Sequence, residues 1–92
     1  MLQTITESAV KALQYDLLHN GRPADAADLL HLFLTLHPES ALGYRLLAHA
    51  HMELGDDGAA LFAVRRALAL DPDNRPATRL EQRILDRADT DN

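Results

Sequence analysis

The sequence predicts an all-α protein in which two helix–turn–helix units stack side by side and a fifth helix closes the far end. Three observations carry this reading. Leu13, Gly21, Ala26, Leu36 and Pro38 recur 34 residues later as Leu47, Gly55, Ala60, Leu70 and Pro72, and self-similarity at that period marks an array of helix pairs. Ala and Leu are abundant while β-branched residues are few, which favours helix throughout. No stretch alternates with period two for long enough to form a strand.

Each element follows from local signals. The first helix is predicted from about Ile5 to His19, with Thr4 and Glu7 spaced as a capping box and Asn20-Gly21 as its stop. The second runs from about Pro23, whose missing N–H is not needed in a first turn, to Leu36, where His37-Pro38 ends it. The third spans about Ala41 to Leu54, between the cap Ser40 and the stop Gly55. The fourth spans about Asp57 to Leu70 and stops at Asp71-Pro72. The fifth spans about Arg75 to Arg87, with Asn74 as cap and Pro76 in its first turn. The tail Ala88–Asn92 is polar and expected to fray. The expected layout is therefore one domain over residues 1–92: a first repeat over about 7–40, a second over about 41–74 and a capping helix over about 75–88.

Composition narrows the function. Apolar residues make up 47% and charged residues 25%, the balance of a globular protein. There is no cysteine, which excludes disulfides and thiolate metal sites. The first 18 residues carry Glu7, Lys11 and Asp16 and hold no apolar run suited to a signal peptide, and no segment approaches the roughly 20 apolar residues of a membrane span. A cytoplasmic protein is expected. The net charge is −5, and eight of the nine bases are Arg. That acidity argues against nucleic acid, whose binding rests on Lys and Arg neutralising phosphates.

The repeat resembles the tetratricopeptide repeat (TPR) family, whose pattern is W-x2-L-G-x2-Y, then A-x3-F, then P. The second copy reads Tyr44-x2-Leu47-Ala48-x2-His51, then Ala60-x3-Val64, then Pro72. Leu54-Gly55-Asp56 and the run from Ala67 to Pro72 are similar to the family as well. The first copy reads Val10-x2-Leu13-Gln14-x2-Leu17, then Ala26-x3-Leu30, then Pro38. A third copy is only begun, with Thr78 and Glu81 where Tyr44 and Leu47 stand one period earlier. The fifth helix has a single apolar stripe of Ala77, Leu80, Ile84 and Ala88, which fits a terminal cap with one wet side.

The resemblance implies a protein-binding module whose concave surface is lined by the first helix of each pair. On the third helix that row is Leu42, Arg45, His49 and Met52. One period earlier it is Ser8, Lys11, Tyr15 and Leu18, and one period later Pro76, Arg79 and Arg83, with Asp86 closing the row. The predicted partner-binding groove is thus Lys11, Tyr15, Leu18, Leu42, Arg45, His49, Met52, Arg79 and Arg83. It mixes apolar patches with bases and suits an amphipathic helix or extended peptide with some acidic character. Some family members clamp a C-terminal carboxylate. Here Lys11 falls at a clamp lysine, but Tyr15, Leu46 and Leu80 stand where polar or basic clamp members belong, so that activity is not expected.

Two roles are compatible with this reading. One is a small cytosolic chaperone or adaptor, similar in size and architecture to the TPR-type chaperones of type III secretion. The other is a structural module forming a homodimer through its N-terminal helix, where Leu2, Ile5, Val10, Leu13 and Leu17 must bury themselves with little in front of them. The five histidines do not form a metal site: His49 and His51 point to different sides of a helix, His49 and Glu53 supply only two ligands, and His19, His31 and His37 are scattered. No nucleophile, phosphate loop or acid–base pair emerges, so neither an enzyme nor a cofactor is expected.

Overall fold

A computed structural model describes residues 6–90, and among them there are five helices and no strand: α1 Glu7–His19, α2 Pro23–Leu36, α3 Ala41–Glu53, α4 Asp57–Leu70 and α5 Arg75–Thr90. The turns repeat as the sequence does. At Gly21 (φ 70°) and Gly55 (φ 80°) the backbone enters the left-handed region that glycine adopts without penalty. The amides of Gly21 and Arg22 return to the carbonyls of Leu18 and Leu17, and those of Gly55 and Asp56 to Met52 and His51. Both are Schellman stops, which satisfy the last carbonyls and reverse the chain. The second type of stop repeats too. The His37 amide bonds to Phe33 and that of Ser40 to His37, and one period on Asp71 bonds to Ala67 and Asn74 to Asp71.

The caps refine the sequence reading. Thr4 and Ile5 lie outside the described residues, and α1 begins at Glu7 with Thr6 as its cap, its side chain accepting from the Ala9 amide at 3.1 Å. Glu7 is thus the first residue of the helix, not the third after its cap. Its carboxylate accepts instead from the Ser40 hydroxyl at 2.6 Å, while the same Ser40 oxygen accepts from the Gly43 amide at 2.9 Å. The start of α1 is thereby tied to the start of α3. Asp56 and Asn74 cap α4 and α5 in the same side-chain manner. The fifth helix does not stop at Arg87 but runs to Thr90, and Ala88 is half-buried, because its apolar stripe continues along the array.

α3 is the central element and touches all four other helices. Around it the core gathers Val10, Leu30, Phe33, Val64 and Ile84, all without exposed surface. Ala26, Ala48, Ala60 and Ala67 are also fully buried, small enough to let the helix axes approach. Gly43 marks the tightest approach between the repeats: a Cβ there would sit 2.8 Å from a Leu34 methyl and 3.2 Å from the Phe33 ring. Gln14, where the second repeat has Ala48, is buried and donates to the Leu46 carbonyl at 3.3 Å, joining α1 to α3. The expected burial of the first helix is partial. Val10 is buried and Leu17 half-buried, but Leu13 remains 46% exposed, because no helix precedes α1 among the described residues; Leu2 and Ile5 lie outside them.

The α5 stripe expected to face inward does so: Ala77, Leu80 and Ile84 are buried. Two polar ties fasten it. Arg65 Nε of α4 donates to Glu81 at 3.2 Å, and Arg87 Nη1 donates to the Met52 carbonyl at 2.8 Å while its Nε lies 3.6 Å from Asp57 Oδ1. The last distance is an ion pair rather than a hydrogen bond. Overpacking the inter-helix contacts is expected to cost stability directly. Gly43→Val and Ala60→Leu should each lower the unfolding free energy by about 1–3 kcal/mol in urea melts, with the helical circular dichroism of the folded state retained.

Candidate functional site

α1 and α3 lie side by side on one surface of the array, and the hollow between them is a pocket of about 810 Å3. Five of the nine groove residues expected from the sequence line it: Lys11, Tyr15 and Leu18 from α1, and Arg45 and His49 from α3. Ser8 joins them, as the helical row requires. The fifteenth and nineteenth side chains stack, with ring centroids 6.0 Å apart and planes within 7°, so that Tyr15 and His19 form an aromatic wall. Tyr15 is 68% exposed, the more open part of that wall. Leu46, itself buried, forms part of the floor with Gln14.

The other four expected residues stand elsewhere. Met52 is only 4% exposed and belongs to the core. Leu18 makes the same three-residue step from Tyr15 and still lines the pocket; Met52 differs because α3 is packed by α5 as well, where α1 is not. Its backbone carbonyl accepts from Arg87 of α5. Leu42 is half-buried and packs against the core. Arg79 and Arg83 are exposed on α5 and do not line the pocket, although the charge of Arg83 reaches His49. The lining residues not foreseen are Ala12, Gln14, Asp16, His19, Leu46 and Glu53. Those on α1 enter because, among the described residues, α1 packs only on α2 and α3 and so shows more of its circumference than α3 does.

The electrostatics of the hollow follow from which charges are already paired. His49 Nε2 lies 3.4 Å from Glu53 Oε1, one helical turn away. Burial is the largest influence on the imidazole and pushes its pKa below the ordinary 6.5. Glu53 opposes that shift, while Arg83 and Arg45 reinforce it. Burial likewise lowers the pKa of the half-buried Arg45, whose guanidinium still stays protonated at neutral pH. Among the described residues neither Arg45 nor Lys11 makes an ion pair. The pocket lining therefore carries two cations outside any such ion pair, Lys11 and Arg45, beside the carboxylates of Asp16 and Glu53.

The histidines do not gather around a metal. No group of three or more His, Cys, Asp or Glu side chains suited to an ion occurs among the described residues. His31 is not isolated, as the sequence suggested: its ring meets that of His51 edge-on at 6.0 Å. His37 stacks on Phe33 at 4.5 Å. No helix among the described residues is long and apolar enough to cross a membrane.

A family model described as tetratricopeptide repeat matches residues 17–84. The chain belongs to the tetratricopeptide repeat family. No curated protein matches it. The match begins at the end of α1 and ends within α5, so it spans the second repeat and the packing of both its neighbours. TPR units as a class mediate protein–protein interaction, and the hollow between α1 and α3 lies on the first helix of each TPR pair.

The depressed pKa of His49 has a consequence for stability. The unfolded chain takes up a proton near the ordinary value of 6.5, whereas the folded chain resists it. The contribution is therefore complete above pH 6.5 and is lost as the pH falls through the lower folded value. Thermal midpoints measured from neutral pH downwards should decline in that window, and His49→Gln should flatten that part of the profile.

Proposed function

We propose that this TPR chain is a non-enzymatic adaptor or chaperone that holds one segment of a partner protein, an amphipathic helix or peptide carrying acidic residues, in the hollow between α1 and α3. The observation that supports this most directly is an aromatic-walled, partly apolar pocket that also presents two cations engaged in no ion pair among the described residues, Lys11 and Arg45. Part of the desolvation of Arg45 has already occurred on folding, so an incoming carboxylate has less water to displace than at a fully exposed guanidinium. Its planar fork can take that carboxylate with two parallel hydrogen bonds. Tyr15 and Leu18 offer contact area for the apolar face of the same segment, in the helix-in-groove manner.

Arg79 and Arg83 extend the positive surface along α5 and would meet acidic residues further along a longer segment. The small size and two-repeat architecture support a likeness to the TPR-type chaperones of type III secretion, and with it a cytoplasmic setting. No site for a metal, cofactor or catalytic group is part of this reading.

The test is co-purification of the tagged chain from its native host, in wild-type form and as Arg45→Glu and Tyr15→Ala. The wild type should recover a partner in stoichiometric amount. Each variant should weaken that complex about tenfold or more, equivalent to about 1.4 kcal/mol, with its melting curve unchanged. A partner held equally well by both folded variants would place binding outside the hollow.

A further inference from the structure

The hollow between α1 and α3 has a chemical order along its length. Ser40 bonds to Glu7 and Gln14 to the Leu46 carbonyl, so the two helices run in the same direction and start at about the same level. Residues one repeat apart therefore flank the hollow in pairs: Lys11 with Arg45, Tyr15 with His49, and His19 with Glu53. The two cations of the lining stand toward the N-terminal ends of the helices. The two carboxylates, Asp16 and Glu53, stand toward the C-terminal ends. At a rise of about 1.5 Å per residue, Asp16 lies about 7.5 Å beyond Lys11, and Glu53 about 12 Å beyond Arg45. The rings of Tyr15 and His49 occupy the interval.

That order suits a helix better than an extended strand. Two turns of α-helix, about 10 Å across and 11 Å long, enclose roughly 860 Å3, close to the 810 Å3 of the hollow. The walls are themselves helices, whose amides and carbonyls are engaged internally, and the Gln14 amide is held by Leu46. An extended chain would find few partners there for its backbone, whereas a helix satisfies its own. The array also shows how it seats a helix against two parallel ones. α2 packs on α1 and α3, and α4 on α3 and α5, each joined to both neighbours by short turns and so antiparallel to them. An occupant running the same way brings its C-terminal carbonyls, with their partial negative charge, toward Lys11 and Arg45.

We propose that the hollow accepts an α-helical segment of a partner protein in one direction only, antiparallel to α1 and α3. Read from the segment's own N-terminus, its contact face carries a base beside Asp16 and Glu53, then apolar residues against Tyr15 and Leu18. An acid follows two turns after the base, between Lys11 and Arg45. The pattern deepens the adaptor reading and depends on it. A spacing of seven residues sets base and acid about 10.5 Å apart on one face. That falls within the interval of about 7.5–12 Å over which the charges of the hollow change sign. Turned end for end, the same face would set acid on acid and base on base, and this repulsion is what gives the hollow a direction.

Two capped alanine-based peptides of fourteen residues, added at low salt to the full 92-residue chain, test this. One carries lysine at its fourth position, leucine at its seventh and eighth and glutamate at its eleventh. The other is the same sequence reversed, so that only the lysine and the glutamate change places. Amide chemical shifts of α1 and α3 follow the titrations. The lysine-first peptide should bind about tenfold more tightly than its reversal. Arg45→Glu combined with Glu53→Lys should remove that preference, its circular dichroism matching the wild type. If that pair disturbs the fold, Lys11→Glu with Asp16→Lys makes the same test on α1. Equal affinity for the two peptides, a preference for the reversed one, or a preference that survives in the folded variants would each overturn the proposal. So would titrations in which neither peptide shifts the amides of the hollow. The adaptor reading is decided separately, by whether the co-purified partner is lost in Arg45→Glu.

Discussion

The stacking of the second helix pair on the first turns on the space between α3 and α2 at Gly43, where a hydrogen fits and a methyl group would press on Leu34 and Phe33. That contact fixes how deeply α3 sinks against the first repeat, and α3 is the one helix that touches every other. The buried alanines of α2, α3 and α4 extend the same requirement along the array. Cavities and overpacking both cost in an interior of crystalline density, so the spacing set at Gly43 is transmitted to α1 on one side and to α4 and α5 on the other. The hollow between α1 and α3 has its width as a result.

The charge of the hollow is a remainder. Much of the acidic side-chain complement is engaged in holding the fold: Glu7 bonds to Ser40, Asp56 caps α4, Asp57 meets Arg87, Glu81 meets Arg65, and Glu53 meets His49. Arg22 is held by Asp25, and Arg66 lies over Tyr44. Among the described residues Lys11 and Arg45 form no ion pair, and both line the hollow between α1 and α3. An acidic protein thus presents a recess in which cations stand beside carboxylates, and its net charge is a poor guide to what that recess accepts.

Most of the architecture was legible because its punctuation is strong. Gly21 and Gly55 permit a left-handed turn, the His37-Pro38 and Asp71-Pro72 steps forbid continuation of a helix, and Ser40, Asp56 and Asn74 each satisfy amides at a helix start. The errors fall where one sequence position has two physical uses. Glu7 suited a local capping box but is taken by Ser40, more than thirty residues away. Met52 suited an exposed row by its spacing but is buried in the core, because helical periodicity gives a direction and not a neighbour. Leu13 suited a core position in the repeat pattern yet stays exposed, since no helix among the described residues packs on it as the first repeat packs on Leu47. Gln14, which stands where the second repeat has Ala48, proves to be a tie between helices.

The two ends of the array are fastened unequally. At the C-terminal end Arg87 reaches across to the Met52 carbonyl and to Asp57, so the last helix grips the turn between α3 and α4, and Glu81 adds a second hold on α4. At the other end α1 is held by Val10, the Gln14 contact and the Glu7–Ser40 bond, with Leu13 still facing outward. In a quasi-one-dimensional array, local opening follows such differences, because each unit is stabilised mainly by its neighbours. Amide protons in α1 will therefore exchange well before those of α3 and α4. The recess has one stiff wall and one soft wall, and a bound segment that clasps the soft one raises the protection of α1 without altering the core beneath it.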